Sequence, residues 1–261
     1  MTSKVEKVWD YKGQAKWYGF RPNYSDKAID ILVDYVTLQT ERQRDREFHV
    51  VDVGAGTGNL TKMLFARGLQ VEAVEPNDEM RKIGIETMKG TGVAWIQATG
   101  TETTLNSGRY DWVTFGSSFN VIDRELGLKE SYRLLKPKGF FTCMWNHRVL
   151  NCSIQAKAES IILKHVPCYE RGTRREDQRP FLEQYTSLFK DIFYLEVDFY
   201  VTRTIDEYIN AWRSVKNKYW DVETNEGRNL FNKISDEMRD TLPEKFNIVY
   251  TTRAWTVQKV E

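Results

Sequence analysis

The sequence has few cysteines and no excess of charge of either sign. Its three cysteines, Cys143, Cys152 and Cys168, form no CxxC pair and lack the spacing of metal ligands, which argues against a disulfide framework and favours a reducing compartment. The 38 lysines and arginines balance 37 acidic residues, so we expect no broad positive surface that attracts nucleic acid or an anionic membrane. We therefore expect no metal ion, nucleic acid or membrane as partner, but a small molecule.

Long apolar segments are also missing. No run approaches the roughly 18 apolar residues of a membrane span, and the first residues, MTSKVEKVWDYKGQ, lack the apolar core of a signal peptide. This predicts a cytoplasmic protein. Because a single hydrophobic core reaches its upper size at roughly 250 to 300 residues, we expect one domain over residues 1–261, in a monomer or a homodimer.

Apolar strands alternate with amphipathic helices through the first half of the chain. The patterns predict strands over 48–53, 69–74, 93–97, 110–115 and 139–145, and helices over 24–44, 59–67, 78–89 and 123–135. Such a regular alternation of strands and helices is typical of parallel βαβ units, which bind ligands at the carboxyl ends of their strands.

The pattern changes after Trp145. Helices are predicted over 153–166, 205–215 and 226–240, and strands over 192–201 and 246–257. The mostly helical sequence between the last two strands predicts a cap over an active site, at about residues 202–245.

A glycine-rich turn follows the first strand, in VVDVGAGTGNL. Gly54, Gly56 and Gly58 let the backbone turn tightly and approach a ligand, and the helix that begins there offers N–H groups to an anion. A dinucleotide fingerprint reads GxGxxG, whereas these glycines run GxGxG, with Asp52 two residues before the first. A carboxylate there suits a ligand with an ammonium group; the alternative is a carboxylate that orders the loop.

A second acidic residue ends the second strand, in VEAVEPN. Glu75 lies seventeen residues beyond Gly58, where a carboxylate accepts both hydrogen bonds of a ribose diol. Pro76, Asn77 and Met80 follow at a position where an adenine face can pack. A nucleoside, a carboxylate and an ammonium group together describe S-adenosylmethionine.

Several segments together resemble the class I S-adenosylmethionine-dependent methyltransferases, in particular the small-molecule, methyltransferase type 11-like group with the trans-aconitate and ubiquinone-pathway enzymes. The resemblance runs from about Tyr18 to Trp145 and rests on YGFRPNYS, VVDVGAGTGNL, VEAVEPNDEM, TGTETTL, YDWVTFGSSFNVID and ESYRLLKPKGFFTCMWN. It implies an α/β, Rossmann-like fold: a mostly parallel seven-stranded sheet, helices on both faces, an antiparallel last strand and a helical cap insertion. It also suggests an N-terminal lid and helix (1–45), a cofactor-binding half (46–150) and a substrate half (151–261).

The resemblance implies roles for individual residues. The glycine loop wraps the methionyl part of the cofactor, Thr101 and Glu102 lie beside the adenine, and the loop after the fourth strand faces the sulfonium. The N-terminal aromatic segment VWDYKGQAKWYGFRPNY folds over the cofactor. Its candidate residues are Tyr18, as an aromatic face near the cationic sulfur, and Arg21, as a partner of the methionyl or a substrate carboxylate. The alternative for the segment is ordinary core packing. The full set of predicted S-adenosylmethionine-binding residues is Tyr18, Arg21, Asp52, Gly54, Ala55, Gly56, Gly58, Glu75, Pro76, Asn77, Met80, Thr101, Glu102, Ser117, Ser118 and Phe119.

Two departures from the family pattern are visible. Many relatives have an acidic residue in the third-strand loop, where this chain has Ala98-Thr99-Gly100, and many have a His-Trp pair where it has Asn120-Val121.

The predicted reaction is methyl transfer from S-adenosylmethionine to O, N or C of a small metabolite. His147, after the fifth strand, is the candidate base for a hydroxyl or activated carbon, whereas an amine needs none. The candidate substrate residues are Trp17, Asn120, Trp145, Trp212 and Tyr219. The cap aromatics either pack within the helices or line a pocket for an aromatic or anionic molecule.

Two other functions are compatible with part of the sequence. One is a non-catalytic methyltransferase-fold partner or cofactor-binding subunit. The other is a nicotinamide-dependent oxidoreductase, against which the GxGxG spacing and Asp52 argue.

Overall fold

Seven strands form one sheet at the centre of the molecule. The computed structural model describes residues 13–39, 47–170, 176–215 and 217–261. The strands are β1 (His49–Val53), β2 (Gln70–Val74), β3 (Ala94–Ile96), β4 (Tyr110–Gly116), β5 (Leu135–Arg148), β6 (Phe189–Thr204) and β7 (Lys245–Lys259). Their order is β3-β2-β1-β4-β5-β7-β6. Strands β1 to β5 pair in parallel, and β7 runs antiparallel between β5 and β6.

Helices follow the strands along the chain. They are α1 (Asp26–Gln39), α2 (Asn59–Phe65), α3 (Asp78–Thr87), α4 (Arg124–Leu134), α5 (Ser153–His165), α6 (Arg179–Leu182), α7 (Ile205–Arg213) and α8 (Asn225–Thr241). A 3₁₀ helix, Ala15–Phe20, precedes α1. The sequence did not predict this element or α6, because such short helices show no periodicity. Residues 40–44 of the predicted first helix lie outside the described residues.

Alternate residues of the central strands face two different cores. Val113 and Phe141 pack on one side of the sheet with α4, whereas Trp112 and Phe140 pack on the other with α1 and α2. This alternation places helices on both faces, because successive side chains of a strand point in opposite directions. The predicted α/β, Rossmann-like fold with its antiparallel last strand is therefore confirmed.

The cap consists of α7 and α8, which lie between β6 and β7 in the chain. Thr204 and Glu207 form a capping box at the start of α7, and both helices bury apolar faces with α5 and the adjoining parts of β6 and β7. The predicted helical insertion is present, while the division of the chain into lid, cofactor and substrate segments stays a prediction. Within the described ranges, no helix has the length and apolar character needed to cross a membrane.

Candidate active site

A cavity of about 310 Å³ opens at the carboxyl ends of the parallel strands. Loops after β1, β2, β3 and β4 line it together with the end of β5, α7 and residues 15–24, which we call the strap. It brings together these predicted residues: Tyr18, Arg21, Asp52, Gly54, Ala55, Gly56, Glu75, Pro76, Asn77, Met80, Ser117, Ser118, Trp145, His147 and Trp212.

The glycine loop after β1 needs its glycines. Gly54 and Gly56 have φ angles of +68° and +61°, in the left-handed region that other residues seldom adopt. A Cβ at Gly54 would lie 2.5 Å from the Cβ of Ser118, and one at Gly56 would lie 3.3 Å from the methyl carbon of Met80. The bare backbone of the loop therefore forms the cavity wall.

Glu75 connects the glycine loop to α3. Its Oε2 accepts a hydrogen bond from Gly56 N–H (2.8 Å) and its Oε1 accepts one from Asn77 N–H (2.9 Å). Asn77 in turn caps α3 by accepting from Met80 N–H (3.1 Å). Burial raises the pKa of Glu75, while the two backbone N–H groups lower it. Each carboxylate oxygen retains a further lone pair for a ligand hydroxyl.

Asp52 is fully buried beneath the same loop and also reaches the cavity. It accepts hydrogen bonds from the hydroxyls of Thr61 (2.7 Å) and Thr114 (3.3 Å). Burial raises the pKa of Asp52 to about 6, and the threonine hydrogen bonds oppose this rise. Because Thr61 belongs to α2 and Thr114 to β4, Asp52 orders the loop and also supplies negative charge near the cavity.

The loop after β4 is strained and contacts the strap. Ser117 has a φ of +61°, which costs energy for a residue with a Cβ, and its hydroxyl lies 2.9 Å from the Tyr24 hydroxyl. Ser118 donates a hydrogen bond to the Val53 carbonyl (2.7 Å). Burial raises the pKa of Tyr24, so this cavity residue, which was not predicted from the sequence, is neutral at physiological pH.

Arg21 lines the cavity and contacts the cap through its guanidinium. Its Nε donates to the Ser214 hydroxyl (2.9 Å) and its Nη2 donates to the Ser214 carbonyl (2.6 Å). The guanidinium carbon also lies 3.8 Å from the centre of the Tyr18 ring. Arg21 thus fastens the strap to the residue that follows α7, a contact between residues 193 positions apart that no local pattern shows.

Several predicted residues do not line the cavity, and Phe119 is the clearest correction. It begins a short 3₁₀ helix, has no exposed surface and packs edge-on against Phe115 and Phe141. Phe119 is therefore a core residue. Asn120 lies next to it and accepts a hydrogen bond from Trp145 Nε1 (3.0 Å), which helps to fix the orientation of Trp145. Asn120 itself does not line the cavity.

Two candidate substrate residues also lie beside the cavity. The Trp17 ring centre is 5.0 Å from the Arg213 guanidinium, on the contact between the strap and α7. The Tyr219 hydroxyl accepts from Glu170 N–H (2.8 Å), and its ring packs on Tyr169, which does line the cavity. Neither side chain lines the cavity.

The two residues predicted to lie beside the adenine are outside the cavity lining. Thr101 and Glu102 do not line the cavity, whereas Thr99 and Gly100 do. Thr101 is hydrogen-bonded to Thr99 (3.2 Å), and Glu102 is exposed. Gly58 is also outside the lining. It is the N-cap residue of α2, with φ of +86°, and a Cβ there would lie 3.4 Å from the Trp95 ring.

His147 lines the cavity near the end of β5 and is 7% exposed. Its neighbour Arg148 and three other lining residues, Glu159, Tyr169 and Tyr250, were not predicted from the sequence. Arg148 had a local signal, its place after His147 at a strand end. The other three come from α5, the segment after it and β7, and only tertiary packing brings them here.

Residues 51–143 match a family described as a methyltransferase domain. An uncharacterized methyltransferase of Mycobacterium tuberculosis (strain H37Rv) is 34% identical over 128 residues, covering 49% of this chain and 48% of that protein. A ubiquinone/menaquinone biosynthesis C-methyltransferase of Rubrivivax gelatinosus is 29% identical over 126 residues, covering 44% of this chain and 50% of the relative. The chain thus spans about half the length of the curated relatives it matches.

A solved structure extends the likeness to most of the chain. A protein of Anaeromyxobacter dehalogenans, described as a candidate type II methyltransferase, has a TM-score of 0.55 at 14% identity and covers 92% of this chain and 97% of its own. At this identity the likeness concerns the fold alone. Residues 51–143 therefore match the methyltransferase-domain family, and the sheet order β3-β2-β1-β4-β5-β7-β6 gives the chain the class I methyltransferase fold.

Proposed function

We propose that this protein is an S-adenosylmethionine-dependent methyltransferase that methylates O, N or C of a small molecule. The observation that carries the proposal is a single cavity that extends from the glycine loop and Glu75 to His147 and the cap residue Trp212. Methyl transfer between two small molecules requires such a continuous site, because both reactants must be held in contact.

The cavity residues suit S-adenosylmethionine, which supplies an electrophilic methyl group on a cationic sulfur when bound. Glu75 has carboxylate oxygens for two ribose hydroxyls, and Asp52 supplies negative charge for the ammonium group. Met80 and Pro76 offer apolar surface for the adenine. The uncovered backbone of the glycine loop allows the methionyl part to approach closely.

The chain contributes positioning, exclusion of water and, for some acceptors, a base. The strap is held over the cavity by Arg21, and Asn146 donates to the Asn23 carbonyl (2.9 Å). These contacts keep solvent from the reacting groups. His147 accepts the proton of a hydroxyl or activated carbon acceptor, whereas an amine that arrives unprotonated needs no base.

The test is calorimetric titration with S-adenosylhomocysteine, with NAD in parallel. We expect one-site binding of S-adenosylhomocysteine and no binding of NAD. Glu75→Gln should weaken S-adenosylhomocysteine binding at least about tenfold, because a carboxylate hydrogen bond contributes roughly 1.5–3 kcal/mol. Glu79→Gln, an exposed change on α3, is the matched control. Binding of NAD, or unchanged affinity in folded Glu75→Gln, would contradict the proposal.

Turnover is tested by S-adenosylhomocysteine release with phenols, amines and carboxylic acids as acceptors. Release with one of these classes supports an enzyme that acts alone. Tight cofactor binding with no turnover on any acceptor, together with a required partner in size-exclusion chromatography, would favour the non-catalytic alternative.

A further inference from the structure

At the cap end of the cavity, the guanidinium of an arginine side chain lies against aromatic rings. Arg148, the last residue of β5, lines the cavity, and its guanidinium carbon lies 3.8 Å from the ring centre of Trp212 and 5.9 Å from that of Tyr208. Tyr250 faces Arg148 across the β5–β7 pair, and Tyr169 lines the same cavity. Burial lowers the pKa of Arg148, but the surrounding tyrosines raise it above its usual value. The group is therefore cationic at physiological pH.

The two arginines that line the cavity have different surroundings. Arg21 directs its guanidinium N–H groups at Ser214 and holds the strap. Arg148 follows His147 and shares a hydrogen bond with Tyr250. It lies on the far side of the cavity from Glu75, because β1 and β4 separate β5 from β2 in the sheet. A guanidinium stacked on an aromatic face presents its N–H donors along its edge, in the geometry that matches two oxygens of one anion.

We propose that Arg148 binds an anionic group of the methyl acceptor, a carboxylate or a phosphate carried on a flat apolar body. The inference rests on the proposed function, since it names the acceptor class of the same site. Arg148 supplies the charge and the paired donors for the anion, and the rings of Trp212, Tyr169 and Tyr250 supply faces for the apolar body.

An acidic residue at the same end of the cavity gives the proposal a second test. Glu159 of α5 lines the cavity and accepts a hydrogen bond from Gln155 Nε2 (2.9 Å), and Gln155 Oε1 accepts one from the Tyr208 hydroxyl (2.9 Å). These bonds tie the Glu159 carboxylate to the aromatic wall. Its charge opposes an incoming anion, so removing Glu159 and removing Arg148 should have opposite effects.

The experiment titrates the full chain, saturated with S-adenosylhomocysteine, with benzoate, phenyl phosphate and benzamide. Benzamide has the shape of benzoate without its charge. We expect at least one anion to bind at least about tenfold more tightly than benzamide, since charge-assisted bidentate hydrogen bonds are the strong ones. The tighter of benzoate and phenyl phosphate identifies the carboxylate or the phosphate class.

Three variants separate the contributions. Arg148→Gln should lose at least about tenfold in anion affinity and keep its affinity for S-adenosylhomocysteine. Glu159→Gln should bind the anion about threefold more tightly. Arg239→Gln is the matched control, because Arg239 lies on α8 and pairs with Asp206 and Asp236, away from the cavity.

Equal binding of benzamide and the anions, or unchanged anion affinity in Arg148→Gln, would overturn the proposal. If Arg148→Gln does not fold, the direction of the change in anion affinity in Glu159→Gln decides. Weaker or unchanged anion binding in that variant overturns the proposal. Failure of the wild-type protein to bind S-adenosylhomocysteine contradicts the methyltransferase function instead, so the two failures are distinguishable.

Discussion

Asp52 shows how one buried residue can favour ligand binding and oppose stability. A carboxyl whose pKa is raised by folding binds its proton more tightly in the native state, so the free energy of unfolding falls as the pH rises towards the folded pKa of about 6. At neutral pH the charged form therefore lowers stability. Under the proposed function, its charge attracts the ammonium group of the ligand, because Asp52 lies beneath the glycine loop.

This assignment predicts a pH dependence of cofactor binding. As the pH falls from 7 to 5, through the Asp52 pKa of about 6, S-adenosylhomocysteine affinity should fall by up to about tenfold, because the carboxylate becomes neutral. Asp52→Asn should bind more weakly at pH 7 without being less stable. Calorimetric titration at several pH values measures both effects, and a wild-type affinity independent of pH would contradict the role of the charge.

His147 is expected to act on the acceptor and not on the cofactor. For a hydroxyl acceptor, His147→Ala should lower kcat by about 10²–10⁴-fold, the usual contribution of a general base, with S-adenosylhomocysteine affinity unchanged. His49→Ala is the matched control, since His49 begins β1 at the opposite end of the strand from the glycine loop. Wild-type turnover in His147→Ala would make this histidine structural.

The strap is the element whose attachment links the cofactor end of the cavity to the cap. Arg21 fastens it to Ser214, Tyr24 contacts Ser117, and Asn146 donates to the Asn23 carbonyl. Because these partners come from three different parts of the fold, release of one contact should loosen the strap without unfolding the sheet.

Loss of the hydrogen bonds between Arg21 and Ser214 should weaken cofactor binding. Arg21→Ala is expected to lower S-adenosylhomocysteine affinity about tenfold, and Ser214→Ala about twofold, because the Ser214 carbonyl still accepts one bond. Arg67→Ala, which removes an arginine paired with Asp26 and Asp30, is the matched control. An effect of Arg21→Ala with none from Ser214→Ala would indicate that Arg21 binds the ligand directly.

At the scale of the whole molecule, stability depends on the two apolar faces of the sheet. Phe141 is fully buried and packs against Phe115, Phe119 and Phe189. Phe141→Ala should lower the free energy of unfolding by about 3–5 kcal/mol, measured by denaturant titration. Tyr200→Ala, at a side chain that is 75% exposed, should change it by less than about 1 kcal/mol. Equal losses would contradict this account of the core.

Much of the cofactor end of the site was predictable because its signals are local. The glycine spacing and the position of Glu75 at a strand end are patterns that lie within a few residues of the groups they affect. The acceptor end was harder to predict. Phe119 was assigned to the cavity because the loop pattern does not show which side chain turns into the core.

The sequence by itself determined the order of strands and helices and the glycine loop, because periodicity, β-branched runs and glycine act over short distances. Only the tertiary structure decided the partners of Arg21 and Arg148, since Ser214, Trp212 and Tyr250 reach them through the packing of α7 and the antiparallel register of β7. Such long-range contacts depend on how whole elements bury their apolar faces, which no short stretch of sequence specifies.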